Sequence, residues 1–325
     1  GVRPEDRFAA IPPGPRIIPR RVHHESTHAP LVLLGGLIVF FLLGAWLGSP
    51  SSSPPETGDA DGPAPALDQD TDTTLLLLGS SGVTRLDVDE RATEAVEDEG
   101  LLAVADALSG RTRLLPSAAE GRVWVVSGGT AQEVEVADGS PTTPLARVEG
   151  FVSGAVRAGL VVEQMSGALE VVGIDGATVR ALPEDRLFLA ASGSRLATRP
   201  VGCTGSECDV VVDDLDTGAS RRLRVELGPG GTEVAAFSPD GQQLVVARSD
   251  GVQTRGALVD VGLETVTTFR ARAVRRESPA PLTWSPDGVW LFVATERDGL
   301  DAVGVDGRSY RVASELPPFE AILTV

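Results

Sequence analysis

Lysine and asparagine are absent from the 325 residues, and the three histidines (His23, His24 and His28) all precede residue 29. Every one of the 28 basic residues is therefore arginine. The missing types have AT-rich codons, which points to a high-GC bacterial origin. Beyond His28 there is no side chain that serves as the usual base for a serine nucleophile. Imidazole ligands for a metal are missing there too. The enzyme class left open is one that works with carboxylates alone, as a lyase or hydrolase. Acids outnumber bases 46 to 28, for a net charge of -18. Phosphate backbones need clustered cations, so a nucleic-acid partner is not expected. No cofactor or metal site stands out.

Cysteine is nearly absent. Cys203 and Cys208 bracket TGSE between the runs RLATRPVG and DVVVDD, so they face each other across a hairpin. Outside the cytoplasm such a pair is expected as a disulfide. The spacing is longer than the redox C-x-x-C, and two thiolates make an incomplete metal site.

Charge is missing from one stretch altogether. Residues 29–48, APLVLLGGLIVFFLLGAWLG, carry no ionisable side chain. About 20 apolar residues match a hydrocarbon core of about 30 Å, and only a helix satisfies its own backbone there. Pro30 suits a first helical turn and Trp46 an interface. A cleavable signal would have a shorter apolar region, so an uncleaved anchor is expected. Residues 1–28 carry Arg3, Arg7, Arg16, Arg20 and Arg21, whereas 49–84 carry no arginine. Positive-inside then puts a disordered tail, 1–28, in the cytoplasm and the remainder outside the cell. Within that tail, His24-Glu25-Ser26-Thr27-His28 spells H-E-x-x-H, but it lacks the catalytic surroundings that the zinc motif needs. Residues 49–73 are rich in Ser, Pro and acids and read as an extended linker.

From residue 74 to 325 the texture is short Val/Leu-rich runs between Gly- and Asp-bearing turns, with no persisting helical period. A turn recurs at Asp89-Glu90, Asp138-Gly139, Asp175-Gly176, Asp216-Thr217-Gly218, Asp260-Val261-Gly262 and Asp306-Gly307. The Asp intervals are 49, 37, 41, 44 and 46 residues. Units of roughly 40–50 residues match four-stranded propeller blades. FSPDGQQLVVARSDG and WSPDGVWLFVATERDG are two copies offset by 47 residues. In Ser238-Pro239-Asp240-Gly241 and Ser285-Pro286-Asp287-Gly288, Pro presets the turn, Asp bonds its own backbone and Gly takes the left-handed position.

Those two units resemble the repeat of TolB-type, or WD-like, β-propellers. The resemblance is sharp over about residues 234–315 and fades to a pattern before them. It implies an all-β fold of six blades and use as an extracytoplasmic binding module. Seven blades remain an alternative if residues 98–121 hide a degenerate unit. Leu75-Leu76-Leu77-Leu78 opens the domain as a blade's middle strand, and FEAILTV (319–325) is a spare strand. Pairing them would seal the ring.

Three smaller features complete the reading. Asp214-Leu215-Asp216-Thr217-Gly218 hints at a calcium loop but lacks the remaining oxygen ligands, and is read as a hairpin turn. Arg270, Arg272, Arg275 and Arg276 form either a docking loop or an outer strand with a solvated connector. Trp124, Trp284 and Trp290 are expected in the core between blades. The expected function is binding of a protein or envelope component by a membrane-tethered disc. The alternatives are a carboxylate enzyme in the channel and an envelope sensor.

Overall fold

The computed structural model describes residues 64–325 apart from 81, 109–111, 118, 120, 138, 204–206, 228–231, 276–279, 297 and 325. Residues 1–28 with the H-E-x-x-H sequence, the apolar run 29–48 and most of the expected linker lie outside the described residues, as do Asp138, Arg276, Arg297 and Val325. Among the described residues no helix is long and apolar enough to cross a membrane.

Six antiparallel four-stranded sheets make six blades. Blade 1 contains β1 (Thr74–Gly79), β2 (Gly82–Asp87) and β3 (Ala92–Val96). Blade 2 contains β4 (Arg113–Pro116), β5 (Arg122–Ser127), β6 (Thr130–Glu135) and β7 (Ala146–Arg147). Blade 3 contains β8 (Phe151–Val156), β9 (Gly159–Glu163), β10 (Leu169–Val172) and β11 (Thr178–Ala181). Blade 4 contains β12 (Arg186–Ser192), β13 (Arg195–Pro200), β14 (Glu207–Asp214) and β15 (Ser220–Glu226). Blade 5 contains β16 (Thr232–Phe237), β17 (Gln243–Ser249), β18 (Gln253–Asp260) and β19 (Thr265–Arg272). Blade 6 contains β20 (Leu282–Trp284), β21 (Trp290–Thr295), β22 (Gly299–Gly304) and β23 (Ser309–Ala313). The last strand, β24 (Ala321–Thr324), returns to blade 1 and pairs with β1, with Leu75 opposite Thr324 and Leu78 opposite Ala321.

The unbroken apolar runs have a direct cause. Successive strand side chains point to opposite faces. A second strand lies inside its blade, and both blade faces are covered. Leu75 and Leu77 therefore join one apolar cluster with blade 6, while Leu76 and Leu78 join another with blade 2. Leu244 and Val246 face blade 4, while Val245 and Ala247 face blade 6. There are six such clusters, one at each seam between consecutive blades. An open stack of six blades would have five. Trp124, Trp284 and Trp290 are all buried in these seams.

First strands touch in series around the axis: β4 to β8, β12, β16, β20 and β24. The inner Thr283 and Thr324 hydroxyls hydrogen-bond at 2.8 Å where blade 6 meets blade 1. Every inner strand runs the same way, so two faces are defined. One carries the starts of the inner strands and the hairpins between second and third strands; we call it the mouth face. The other carries the first-to-second and third-to-fourth turns, and we call it the turn face.

Two parts of the sequence reading need correction. Residues 98–121 hold no seventh blade. They contain a helix, α1 (Glu99–Leu108), and then β4. Leu101, Val104 and Ala105, at i, i+3 and i+4, bury one helical stripe in the seam between blades 1 and 2. The Asp98 carboxylate accepts the Leu101 N–H at 3.0 Å and caps the helix start. The linker also ends earlier than residue 73. Arg311 N–H bonds Pro65 O and Leu67 N–H bonds Arg311 O, which lays residues 65–67 along the edge of β23. Leu67, Thr71 and Thr73 are buried. Asp89 accepts the N–H groups of Thr71 and Asp72, both at 2.8 Å, and so ties this strap to blade 1.

Candidate functional site

The two Ser-Pro-Asp-Gly turns sit on the turn face and are structural joints. Gly241 N–H bonds Ser238 O at 2.8 Å, and Gly288 N–H bonds Ser285 O at 2.9 Å. Gly241 and Gly288 have φ of 69° and 71°, a left-handed conformation that glycine takes without a Cβ penalty. Each serine is fully buried. Its hydroxyl accepts a strand N–H (Gln243 at 2.8 Å, Trp290 at 2.9 Å) and donates to Asp240 or Asp287. The turns also dock blade on blade. Arg195 of blade 4 donates to Gly241 O, and Gly288 lies against Ser238.

The third-to-fourth turns follow the same economy. Asp214 accepts the N–H groups of Asp216 and Thr217, each at 3.0 Å. These backbone bonds, that from Thr217 foremost, hold its carboxyl below the ordinary range. The calcium-like sequence is thus an Asp-capped hairpin turn. Among the described residues no group of three or more metal-ligating side chains converges.

The mouth face is different. Cys203 and Cys208 form a disulfide across the β13–β14 hairpin, with Cα atoms 5.8 Å apart. Beside it Glu233 receives two arginines from separate elements. Arg199 Nε reaches Oε1 at 3.1 Å, and Arg248 Nη2 reaches Oε2 at 3.1 Å. Arg199 also donates to Cys203 O at 3.2 Å, and Arg248 Nη2 lies 3.6 Å from Cys208 Sγ. The disulfide hairpin of blade 4 is therefore tied to the first strand of blade 5.

Next to this cluster opens a cavity of about 300 Å³ lined by Glu163, Arg199 and Glu233 and by the first strands of blades 3, 4 and 5. Two β-bulges shape it. The β8–β9 register skips Ser153 and the β12–β13 register skips Leu189, and both residues line the cavity. A bulge re-aims the extra side chain, here toward the axis. Phe188 packs where Gly154 has no side chain; a Cβ there would stand 2.5 Å from the ring.

Charge is confined to the rim. Among the six inner strands the ionisable residues are Arg113, Arg186 and Glu233, each the first or second residue of its strand. Further along the axis the strands offer apolar and hydroxyl side chains. Arg113 lies over the Phe151 ring, 4.2 Å from its centroid. Partial desolvation lowers its pKa, and the nearby Glu163 charge works against that.

The arginine-rich segment is largely committed to internal pairs. Arg272 binds the buried Asp301, and Arg275 pairs with Asp298 and covers Phe319. Arg270 is an exposed residue of the outer strand β19. The mouth cluster left no trace in the sequence, because Arg199, Glu233 and Arg248 meet only through blade register. The disulfide did, through its hairpin spacing.

No family model and no curated protein matches the chain. Solved structures do. TolB from Acinetobacter baumannii aligns at 15% identity over 77% of this chain and 64% of its own, with a TM-score of 0.48. This chain thus spans less than two thirds of that TolB. A chain of a nidogen/laminin complex aligns at 14% identity over 75% of this chain and 100% of its own, with a TM-score of 0.48. Kluyveromyces lactis Hsv2 aligns at 15% identity over 75% of each, with a TM-score of 0.40. The chain is a six-bladed β-propeller with distant likeness to these propellers, a likeness of fold alone.

Proposed function

We propose that this chain is a binding module, tethered to the cell membrane by residues 29–48, with 1–28 in the cytoplasm and the propeller displayed outside. Its partner is a protein or a cell-envelope component held on the mouth face. The observation that carries this reading is the contrast between axis and rim. Enzymatic use of the channel would require carboxylates along the inner strands. The one described there, Glu233, is already held by two arginines. The rim instead offers unpaired charge beside exposed apolar side chains, the usual makings of a recognition surface. The apolar run and the arginine asymmetry support the tether.

The test is site-specific photocrosslinking in cells. A crosslinker at Val252, on the mouth face, is expected to trap a defined partner, and one at Leu263, on the turn face, is not. Equal capture from both faces would remove the reading. Protease added to intact cells without an outer barrier should digest the propeller and spare residues 1–28; the reverse pattern would overturn the topology.

A further inference from the structure

The apolar side chains left in water on the mouth face are grouped. Met165 is 100% exposed, Val252 83% and Val201 57%. They stand on the second-to-third-strand hairpins of blades 3, 5 and 4, three consecutive blades. Phe151, 50% exposed, begins β8 inside the same arc. The corresponding hairpin of blade 2 is Gly128-Gly129 and presents no side chain. The result is a one-sided apolar crest above the cavity.

Carboxylates outnumber open guanidiniums around that crest. Glu149 lies two residues before Phe151, and Glu163 two residues before Met165. Asp185 O accepts the Val201 N–H at 2.7 Å, which brings Glu184 and Asp185 to the blade 4 hairpin. None of these four carboxylates joins an ion pair among the described residues. Three of the nearby guanidiniums are committed: Arg199 and Arg248 to Glu233, and Arg186 to Asp213. Arg113, Arg147 and Arg255 have no ion pair among the described residues; Arg113 lies on Phe151, Arg147 stands two residues before Glu149, and Arg255 acts on Asp250. The remaining acid of the crest, Asp250, turns its oxygen to the Val252 and Gln253 N–H groups.

We infer that the crest docks a protein segment in which arginine or lysine is interspersed with bulky apolar residues. Its apolar side chains would cover Met165, Val201 and Val252, and its cations would take the open carboxylates between them. The net charge of -18 steers such a cationic segment toward the propeller from a distance. The inference rests on the reading that the mouth face binds, and supplies the chemistry of the partner.

The test is fluorescence anisotropy of a fluorescein-labelled peptide of alternating leucine and arginine, titrated with the full chain. Saturable binding is expected. The paired variants Met165→Ser with Val252→Ser, and Glu163→Gln with Glu184→Gln, should each weaken it about tenfold or more. The turn-face pair Ile174→Ser with Leu263→Ser should leave it unchanged. All these positions are exposed or line the open rim, so an unshifted melting midpoint checks that each variant is folded. A leucine–glutamate peptide should not bind, and a serine–arginine peptide should bind more weakly than leucine–arginine. Absence of saturable binding overturns the inference. So does equal binding of serine–arginine, or equal loss in the turn-face pair, since either would mark attraction to the acidic body as a whole. If the peptide fails while crosslinking at Val252 still traps a partner, the chemistry assigned to the crest is wrong and the mouth-face reading survives; if both fail, both fall.

Discussion

The Arg275 guanidinium lies over the Phe319 ring, 4.8 Å from its centroid. Arg275 belongs to the connection between blades 5 and 6, and Phe319 precedes β24, the strand that closes the ring on blade 1. Phe319 is 2% exposed within the seam between blades 6 and 1. Arg275 also holds Asp298. The closing segment is thus clasped from the side before it pairs with β1.

This clasp divides into a large and a small part. Phe319→Ala removes a buried aromatic from the closing seam and is expected to cost about 3–5 kcal/mol. Arg275→Ala removes a cation over a ring at a partly open site, worth about 0.5–2 kcal/mol. Urea denaturation should rank the two in that order. A Phe319→Ala protein with an unchanged midpoint would show that closure does not depend on this seam.

The buried serines of the two Ser-Pro-Asp-Gly turns should matter more than the aspartates beside them. Ser238→Ala leaves the Gln243 N–H without its acceptor inside the fold, and Ser285→Ala does the same to Trp290. An orphaned buried donor costs about 1–3 kcal/mol. Asp240 and Asp287 are exposed, and water can replace their bonds to the turn. Melting curves of the four alanine variants check this; equal losses at Ser and Asp would contradict it.

These turns were legible in the sequence because a tight turn is written in four adjacent residues. The blade count was legible for a related reason: Asp89, Asp175, Asp216, Asp260 and Asp306 mark the same hairpin in five blades, and the aspartate that accepts the turn's N–H groups lies within a few residues: Asp87, Asp175, Asp214, Asp260 and Asp306. The closing pair Leu75–Thr324 could be inferred because two unmatched strands at opposite ends leave one way to remove an edge. What escaped is whatever depends on register between blades. Arg199, Glu233 and Arg248 meet across two sheets, and the bulges at Ser153 and Leu189 have no local signature. Helix α1 escaped because ten residues with Leu101, Val104 and Ala105 inward resemble another short apolar run. The strap residue Leu67 is a lone apolar side chain in an acidic stretch, too little to signal burial.

Reduction of the Cys203–Cys208 bond should loosen the mouth face without unfolding the propeller. The bond closes a loop with a sequence separation of 5. For so short a loop, chain entropy assigns about 2 kcal/mol. A Cys203→Ser, Cys208→Ser variant is expected to keep the far-ultraviolet circular dichroism of the parent and to unfold at lower urea by that amount. Hydrogen exchange should rise first in the β13–β14 hairpin and at Arg199. Global unfolding on reduction would mean that the hairpin carries more than its own loop.

Acid should weaken the propeller through its Asp-capped turns. Asp214 and Asp250 are held below the ordinary carboxylate range by backbone N–H groups, chiefly those of Thr217 and Gln253. The folded chain then binds fewer protons at these sites than the unfolded chain does. Their contribution is complete above the unfolded carboxylate value of about 4 and is lost as pH falls through the lower folded values. Both sites are exposed, so each effect is small. Asn keeps an acceptor oxygen but does not titrate. The double variant Asp214→Asn, Asp250→Asn should therefore lose stability less steeply than the parent below about pH 4. A steeper loss would reverse the assigned direction.

Arg272 and Asp301 should respond unequally to the loss of their partner. The Asp301 carboxylate is fully buried and takes Arg272 Nε at 2.9 Å and 3.0 Å on its two oxygens. The Arg272 side chain is 36% exposed and also donates to Leu300 O and Ala313 O. This pair fastens the outer strand of blade 5 to the third strand of blade 6. Asp301→Ala leaves a guanidinium that can turn to water and keep its carbonyl bonds. Arg272→Ala leaves a carboxylate sealed in the seam, with the residue 272 N–H at 3.3 Å as its remaining donor from that strand. Stranding a buried charge costs about 3–5 kcal/mol, more than the net worth of the pair itself. Urea midpoints should therefore fall further for Arg272→Ala than for Asp301→Ala. An apolar replacement of both, Arg272→Met with Asp301→Leu, should recover much of the loss seen with Arg272→Ala alone, because it removes the stranded charge and refills the space. If the double variant is weaker than either single one, the pair holds the blades in a geometry that apolar packing cannot supply.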